Sequence, residues 1–403
     1  MKQIKKMLSI SFLIIMILVT LINVSISEMI SLPDEFYVDY QEIEQANREH
    51  KFGKFVNLEL KTTEIDTSDS SKGNQEIVFK LFGFIPIKKV EAKVLPEEDV
   101  FVGGNTIGID VSTDGVVVVS DTIVNMGSGE IEKNRYLKNG DVIQSFNGKK
   151  IKTLADLQEA LANNTSENPS ISILRSGEVL NSTISILKNK ENEYKLGIWG
   201  RDSFSGVGTL TFALANNGQF GALGHAISSG NDNSILPITN GEIYECNLVN
   251  IEKGQKDIPG QLQCVFVGRD KRGTVEQNTN VGIFGNITDT NGIIDINKRC
   301  KLGGRLSVQA GKASLISSVS GIQEEYEIEI IKINKQKQSG DKSFVFRVKD
   351  ERLLKLTGGI VQGMSGSPII QNGKIVGAVT HVFVSDSTKG YGVYTDWMLE
   401  KLQ

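Results

Sequence analysis

Gly363-Met364-Ser365-Gly366-Ser367-Pro368 sets one hydroxyl between glycines and closes the turn with proline, in a segment that otherwise reads as sheet. Small residues on both sides let the backbone turn tightly and leave the Ser365 Oγ standing clear. In such a turn the amides of Gly363 and Ser365 can converge on one point and stabilise an oxyanion. Clusters of Gly, Ser and Pro also mark ordinary turns, so the six residues alone leave that reading open.

A serine hydroxyl needs a base within hydrogen-bond reach, and histidine is the usual one because its pKa lies near neutrality. The chain has three histidines, His50, His225 and His381. His50 sits in the polar stretch 45–51 and reads as a solvated surface residue. His381 lies in Gly377-Ala378-Val379-Thr380-His381-Val382-Phe383, a strand leaving the serine turn, where a lone imidazole is more often a satisfied core residue. His225, in Gly221-Ala222-Leu223-Gly224-His225-Ala226-Ile227, is the better base, because its glycines permit close backbone approach at an active-site wall. It stands 140 positions before Ser365, the histidine-then-serine order of two-barrel proteases. For the carboxylate that would orient the imidazole, Asp232, Asp257, Asp270, Asp289, Asp295, Asp341 and Asp350 all lie between the two, and the sequence does not choose.

The remaining composition narrows the class. At 403 residues the chain is long enough for two domains plus extras. Aromatics at 7% and 41 glycines point to a turn-rich β protein. The net charge is −4, to which the first 24 residues contribute +3, leaving −7 for the rest. No basic stripe with interleaved aromatics is present, so nucleic acid is not an expected partner. Cys246, Cys264 and Cys300 form neither an even disulfide framework nor a Cys-X-X-Cys metal spacing, so reduced cysteines, no metal and no cofactor are expected.

Lys2, Lys5 and Lys6 precede an apolar run from Met7 to Val24. As a helix that run is about 27 Å long, close to a bilayer's hydrocarbon core. The preceding positive charge predicts a cytoplasmic N-terminus with the rest of the chain outside. Residues 1–27 are therefore expected to be a signal anchor, in preference to a cleaved signal peptide. Residues 28–98 read as a membrane-proximal linker and short β region, with strand-like runs at 55–60 and 76–82 separated by the polar loop Asp66–Asn74. In 99–190, Thr106-Ile107-Gly108-Ile109-Asp110-Val111 leads to a β-branched run at 116–119. Next comes Leu137-Lys138-Asn139-Gly140-Asp141-Val142-Ile143, and then an amphipathic helix at 153–161 capped by Thr153. From 191 to 403 short strands and turns alternate, with a hairpin signal at Asn216-Asn217-Gly218 and a closing helix at 394–402, as suits a double β-barrel.

The element order of 99–190, with its Leu-X-X-Gly-Asp run, resembles a PDZ domain. That likeness implies strand addition of an extended peptide beside Ile107, Gly108 and Ile109, with the carboxylate held near Gly108. The anchor, the PDZ-like module, Gly-His-Ala and Gly-X-Ser-Gly-X-Pro together resemble the SpoIVB (stage IV sporulation protein B) peptidases of endospore-forming bacteria. Leu81-Phe82-Gly83-Phe84-Ile85-Pro86 and the block 363–392 support the likeness. The fold it implies is mainly β: a PDZ domain, then a trypsin-like double β-barrel, behind an N-terminal transmembrane or signal helix. The activity it implies is that of a serine endopeptidase in the space between the two membranes around the forespore. Such an enzyme processes itself and cleaves a membrane-bound inhibitor, releasing an intramembrane metalloprotease that activates the late mother-cell sigma factor. The PDZ ligand would be a peptide, with the chain's own N-terminal region as one candidate. Carried over by motif, Ser365 is the nucleophile, His225 the base and Asp350 the acid. Met364 stands where many trypsin-like enzymes have aspartate, so activation by a new N-terminus pairing with that acid is not available. The competing expectation is an anchored, non-catalytic PDZ scaffold. Quality-control proteases of the HtrA type place the PDZ module after the protease, the reverse of the order here.

Overall fold

Two six-stranded antiparallel barrels lie at the centre of the molecule, which is described by a computed structural model over residues 2–62, 75–125, 131–133, 135–228 and 234–402. Asp232 and the loop expected at 66–74 fall outside the described residues. The first barrel closes through Thr106–Asp121, Ile198–Ala213, Gln219–Ala222, Gly282–Ile287, Gln261–Thr279 and Ile238–Glu252, each hydrogen-bonded to the next and the last to the first. The second closes in the same way through Gly311–Ser317, Glu324–Ile333, Phe344–Val348, Asp386–Tyr394, Lys374–Phe383 and Pro368–Gln371. Each is filled by the inward side chains of its strands. Ile107, Ile109, Leu210, Phe220 and Ile243 fill the first, and Leu315, Ile328, Phe344, Phe346 and Ile369 the second.

Strand Thr106–Asp121 belongs to two bodies. Its first half is a barrel stave, while Val116 and Val117 pair with Ile143 and Val142 of a smaller module. That module contains Val142–Phe146, Ser170–Arg175 and Glu178–Thr183 around a separate core of Val116, Ile143, Phe146, Leu157 and Ile173. Its helix, Leu154–Ala162, starts at Thr153 as the sequence requires, with Thr153 and Asp156 forming a reciprocal capping box. The aspartate of the Leu-X-X-Gly-Asp run is structural: Asp141 is buried, accepts from the Lys138 amide and takes both Arg175 Nε and Nη2 at 2.6 Å.

Ahead of the barrels runs helix Lys2–Ile30, whose residues from Lys6 onward are long and apolar enough to cross a membrane. The stretch after it is more than a linker. Val56–Thr62, Gln75–Leu81 and Ile85–Val94 form an antiparallel sheet that Glu35–Val38 joins in parallel, and helix Tyr40–Arg48 is capped by Asp39. This small module is pinned to the second barrel by charge. Buried Glu42 accepts from Gly304 N and Ser307 Oγ and faces Lys374 Nζ. Arg305, paired with Asp396 at 2.6 Å, lies over the rings of Phe36, Tyr394 and Trp397. With both partners of that pair buried, removing either would strand the other and cost about 3–5 kcal/mol.

Candidate active site

The serine turn is stitched across the seam between the barrels. Thr209, on the first barrel, donates twice to it: its amide to Ser365 O at 2.9 Å and its hydroxyl to Gly363 O at 2.7 Å. Thr211 Oγ1 donates to Gly366 O, and Gly366 N donates to Val379 O on the neighbouring strand. Gly363 and Gly366 both sit at φ +97°, and a Cβ on Gly366 would lie 1.9 Å from Thr209 O. Only glycine fits there. The carbonyls of Gln362 and Met364 accept from Leu262 N and Ser367 N. Because peptides are trans, the amides of Gly363 and Ser365 point away from those bonds. Neither amide has a backbone acceptor among the described residues.

His225 follows strand Gln219–Ala222 by way of Leu223 and Gly224, both left-handed at φ +67° and +72°. Leu223 N donates to Thr209 O, which brings the histidine loop against the serine turn. Asn278 holds the other side of the loop, bonding Ile227 N, Ile227 O and Leu236 O. His225 Nδ1 lies 2.8 Å from Ala226 O. A carbonyl only accepts, so Nδ1 carries the proton and Nε2 keeps its lone pair, the tautomer a general base needs. Burial pushes the His225 pKa down, partly offset by the Ala226 carbonyl and the Asp341 charge.

Ser365, His225 and His381 line one cavity of about 560 Å³, walled by apolar residues such as Phe204, Leu223, Ile360 and Val382. His381, expected to be a core residue, instead lies with its ring centroid 4.7 Å from that of His225. Its Nδ1 is 3.6 Å from Asp341 Oδ2. Burial and the His225 charge bring its pKa down to about 4, against the pull of Asp341. The Asp341 backbone carbonyl accepts from Thr380 Oγ1, and Ser365 Oγ donates to Thr380 O at 2.6 Å.

Two sequence expectations do not survive the geometry. Asp350 caps helix Glu351–Thr357, accepts from Arg352 N and from the Arg352 guanidinium, and borders a different hollow beside Lys312 and Glu327. That helix and the turn after it use up the 15 residues separating Asp350 from Ser365, so the aspartate stays on the outer face. The carboxylate that both imidazoles feel is Asp341. Likewise, Ile107, Gly108 and Ile109 have no free edge for a peptide. On one side they pair with Gly208, Val207 and Gly206, and on the other with Glu245, Tyr244 and Ile243. Sequence reasoning also passed over Thr209, Thr211 and Asn278. The alternation of Thr209-Leu210-Thr211 was the only local sign that two hydroxyls share a face. The three cysteines are free thiols, and the described residues hold no cluster of three or more metal-ligating side chains.

The PDZ domain family matches residues 105–186. Among solved structures, the chain is similar to the active form of the Rv3671c protease from M. tuberculosis, at 14% identity and a TM-score of 0.30, covering 49% of this chain and 73% of that one. The inactive form of that protease aligns at 15% identity and a TM-score of 0.28, covering 49% and 82%. No curated protein matches. The SpoIVB peptidase S55 family matches residues 192–399, just over half of the chain and the whole of the part that carries Ser365 and His225, and the chain belongs to that family of serine peptidases.

Proposed function

We propose that the chain is a membrane-anchored, extracytoplasmic serine endopeptidase of sporulation, with Ser365 as nucleophile and His225 as general base. The supporting observation is the convergence of these two side chains, 140 residues apart in sequence, on one cavity at the seam between the barrels. Rotation about χ1 of Ser365 moves its proton from Thr380 O towards His225 Nε2. Oγ then bonds to the peptide carbonyl carbon as His225 takes the proton, and the Gly363 and Ser365 amides receive the oxyanion. His225 returns the proton to the leaving amine, and water repeats the sequence to release the acyl group. Asp341 acts through the imidazole pair, favouring the charge that His225 acquires.

With Ile107–Ile109 taken, a PDZ ligand has a place among the described residues in the hollow of about 1020 Å³ between helix Leu154–Ala162 and residues 189–200, lined by Leu154, Leu157, Leu161, Tyr194 and Ile198. Family membership supports the finer reading of substrate: the enzyme itself and a membrane-bound inhibitor, whose cleavage frees an intramembrane metalloprotease upstream of the late mother-cell sigma factor. The basic residues ahead of the apolar helix support an extracytoplasmic placement, and family membership supports the space around the forespore as its site. The decisive experiment is labelling of the full chain with a fluorophosphonate probe and mapping of the modified residue by mass spectrometry. Label on Ser365, with labelling and self-processing both lost in Ser365→Ala, is the expected result. Undiminished labelling or self-processing in that variant rejects the assignment.

A further inference from the structure

The hairpin joining Gln75–Leu81 to Ile85–Val94 ends in Phe82-Gly83-Phe84-Ile85-Pro86, an uncharged tip with Phe84 72% exposed and Phe82 45% exposed. Phe82 is held at φ +55° and stacks obliquely on Phe55 at 5.4 Å and on Phe84 at 6.5 Å, so the rings are displayed as a group. An exposed aromatic cluster on a tight turn calls for a cover.

The structure shows where that cluster stands relative to helix Lys2–Ile30. A Cβ on Gly53 would touch Ser25 Oγ, and Ser25 directly follows Val24, the last residue of the apolar run. Phe55 is two residues beyond Gly53, and its carbonyl accepts from Phe82 N. The tip is thus on the order of 10 Å from the end of the run. Ile22 and Ile26 pack on the same core as Leu81 and Phe52. Lys54, next to Phe55, is an exposed charge beside the cluster, while Lys80 is paired to Glu59 and Lys88 reaches Leu32 O and Asp34.

We infer that the tip, Phe82 to Pro86, is a second membrane contact that enters the lipid interface beside the point where the helix leaves the bilayer. Its occupant is lipid: the cluster continues the exposed apolar surface of a helix long enough to span, and aromatic and apolar tips of this kind partition into the headgroup and acyl boundary. Two contacts fix an orientation where one helix leaves a swivel. Because Glu42 and Arg305 tie the small module to the second barrel, the contact also sets how the cleft of Ser365 faces the membrane.

The inference rests on the helix remaining in the bilayer, which is part of the proposed function, and the test separates the two. The full chain is reconstituted in phosphatidylcholine/phosphatidylglycerol nanodiscs with and without brominated lipid. Single tryptophans are added as Leu18→Trp in the helix, Phe84→Trp at the tip, and Val179→Trp at an exposed position of the PDZ-like module. Emission is read as the difference from wild type, with melting temperature confirming the fold of each variant. Brominated lipid is expected to cut the added emission about twofold or more at Leu18→Trp and Phe84→Trp, with a blue shift, and to leave Val179→Trp unchanged. Quenching at position 18 with none at position 84 overturns the tip contact and leaves the anchor standing. Quenching at neither overturns both.

Discussion

The two barrels share one six-stranded plan yet contribute to the cleft unequally. The second supplies Ser365, Thr380 and His381 from a turn and its adjoining strand, with Asp341 from the loop before Phe344–Val348. The first supplies one imidazole, on a loop steered by two left-handed residues and tied down by Asn278, together with two threonines that reach across the seam. The Ser365 turn is therefore hydrogen-bonded by both barrels, whereas the hydrogen bonds that hold the His225 loop come from the first, and the second meets that loop through the His381 ring and the packing of Gly224 on Thr380 and Val393. The first barrel is also the one that shares strand Thr106–Asp121 with the PDZ-like module, and that strand's partner, Ile198–Ala213, carries the two threonines that hold the Ser365 turn.

Gly366→Ala strikes this shared hydrogen bonding hardest. Its new Cβ would overlap Thr209 O at 1.9 Å and crowd Leu223 N at 2.6 Å, at a φ that disfavours any side chain. A loss of about 4 kcal/mol or more is expected, since the overlap forces the seam apart and not one side chain aside. Thermal unfolding of the purified variant checks it, and a melting temperature within a few degrees of wild type would show that the seam is softer than its hydrogen bonds suggest.

Asp341→Asn tests the second barrel's claim on the base. Asp341 contacts His381 and acts on His225 only through space, so turnover is expected to fall about 10- to 100-fold, less than the roughly 10⁴-fold seen when a directly bonded triad aspartate is changed. The sign of the pH effect is fixed independently. Burial already lowers the His225 pKa, and Asp341 opposes that shift. Removing the charge should move the acid limb of the kcat/KM profile to still lower pH, an effect that a merely structural aspartate would not produce.

How far the sequence foretold this arrangement varies with the range of the interaction involved. The Ser365 turn, the Thr153 cap and the Asn216-Asn217-Gly218 hairpin are local, and small residues at fixed spacing declare them. The position of His225 at the cavity wall is foreshadowed by the glycines beside it, which imply close backbone approach. The strand at 106–111 misled, because an alternating run reads the same whether its edges are free for a peptide or paired on both sides within a barrel. Asp341 carries no local mark at all: its place beside the imidazoles arises only when the loop folds over Thr380 and His381.

Acidification compares the barrels through stability. His381 has a folded pKa of about 4 against an ordinary 6.5, so between those values the unfolded chain binds a proton that the folded chain refuses. Stability is therefore complete above about pH 6.5 and falls as the pH drops towards 4, with His225 contributing in the same direction. The slope is moderated because the His381 side chain is 41% exposed. Melting temperatures from pH 7 to 4 should decline less steeply in His381→Asn than in wild type, and equal slopes would place the titration elsewhere.

The smallest effect is the most discriminating one. Asp350 lies on the same barrel as Asp341 and only 15 residues before Ser365, but its carboxylate is committed to Arg352 and to the first turn of Glu351–Thr357. Asp350→Ala removes one helix cap and a half-exposed ion pair, together worth about 1–2 kcal/mol. The melting temperature should drop by a few degrees while turnover stays within about twofold of wild type, since nothing in the cleft touches this residue. A loss of turnover on the order of that expected for Asp341→Asn, with the fold intact, would mean that the Asp350 carboxylate does reach His225 during the reaction. The second barrel would then serve the base through Asp350 and not through the Asp341 loop.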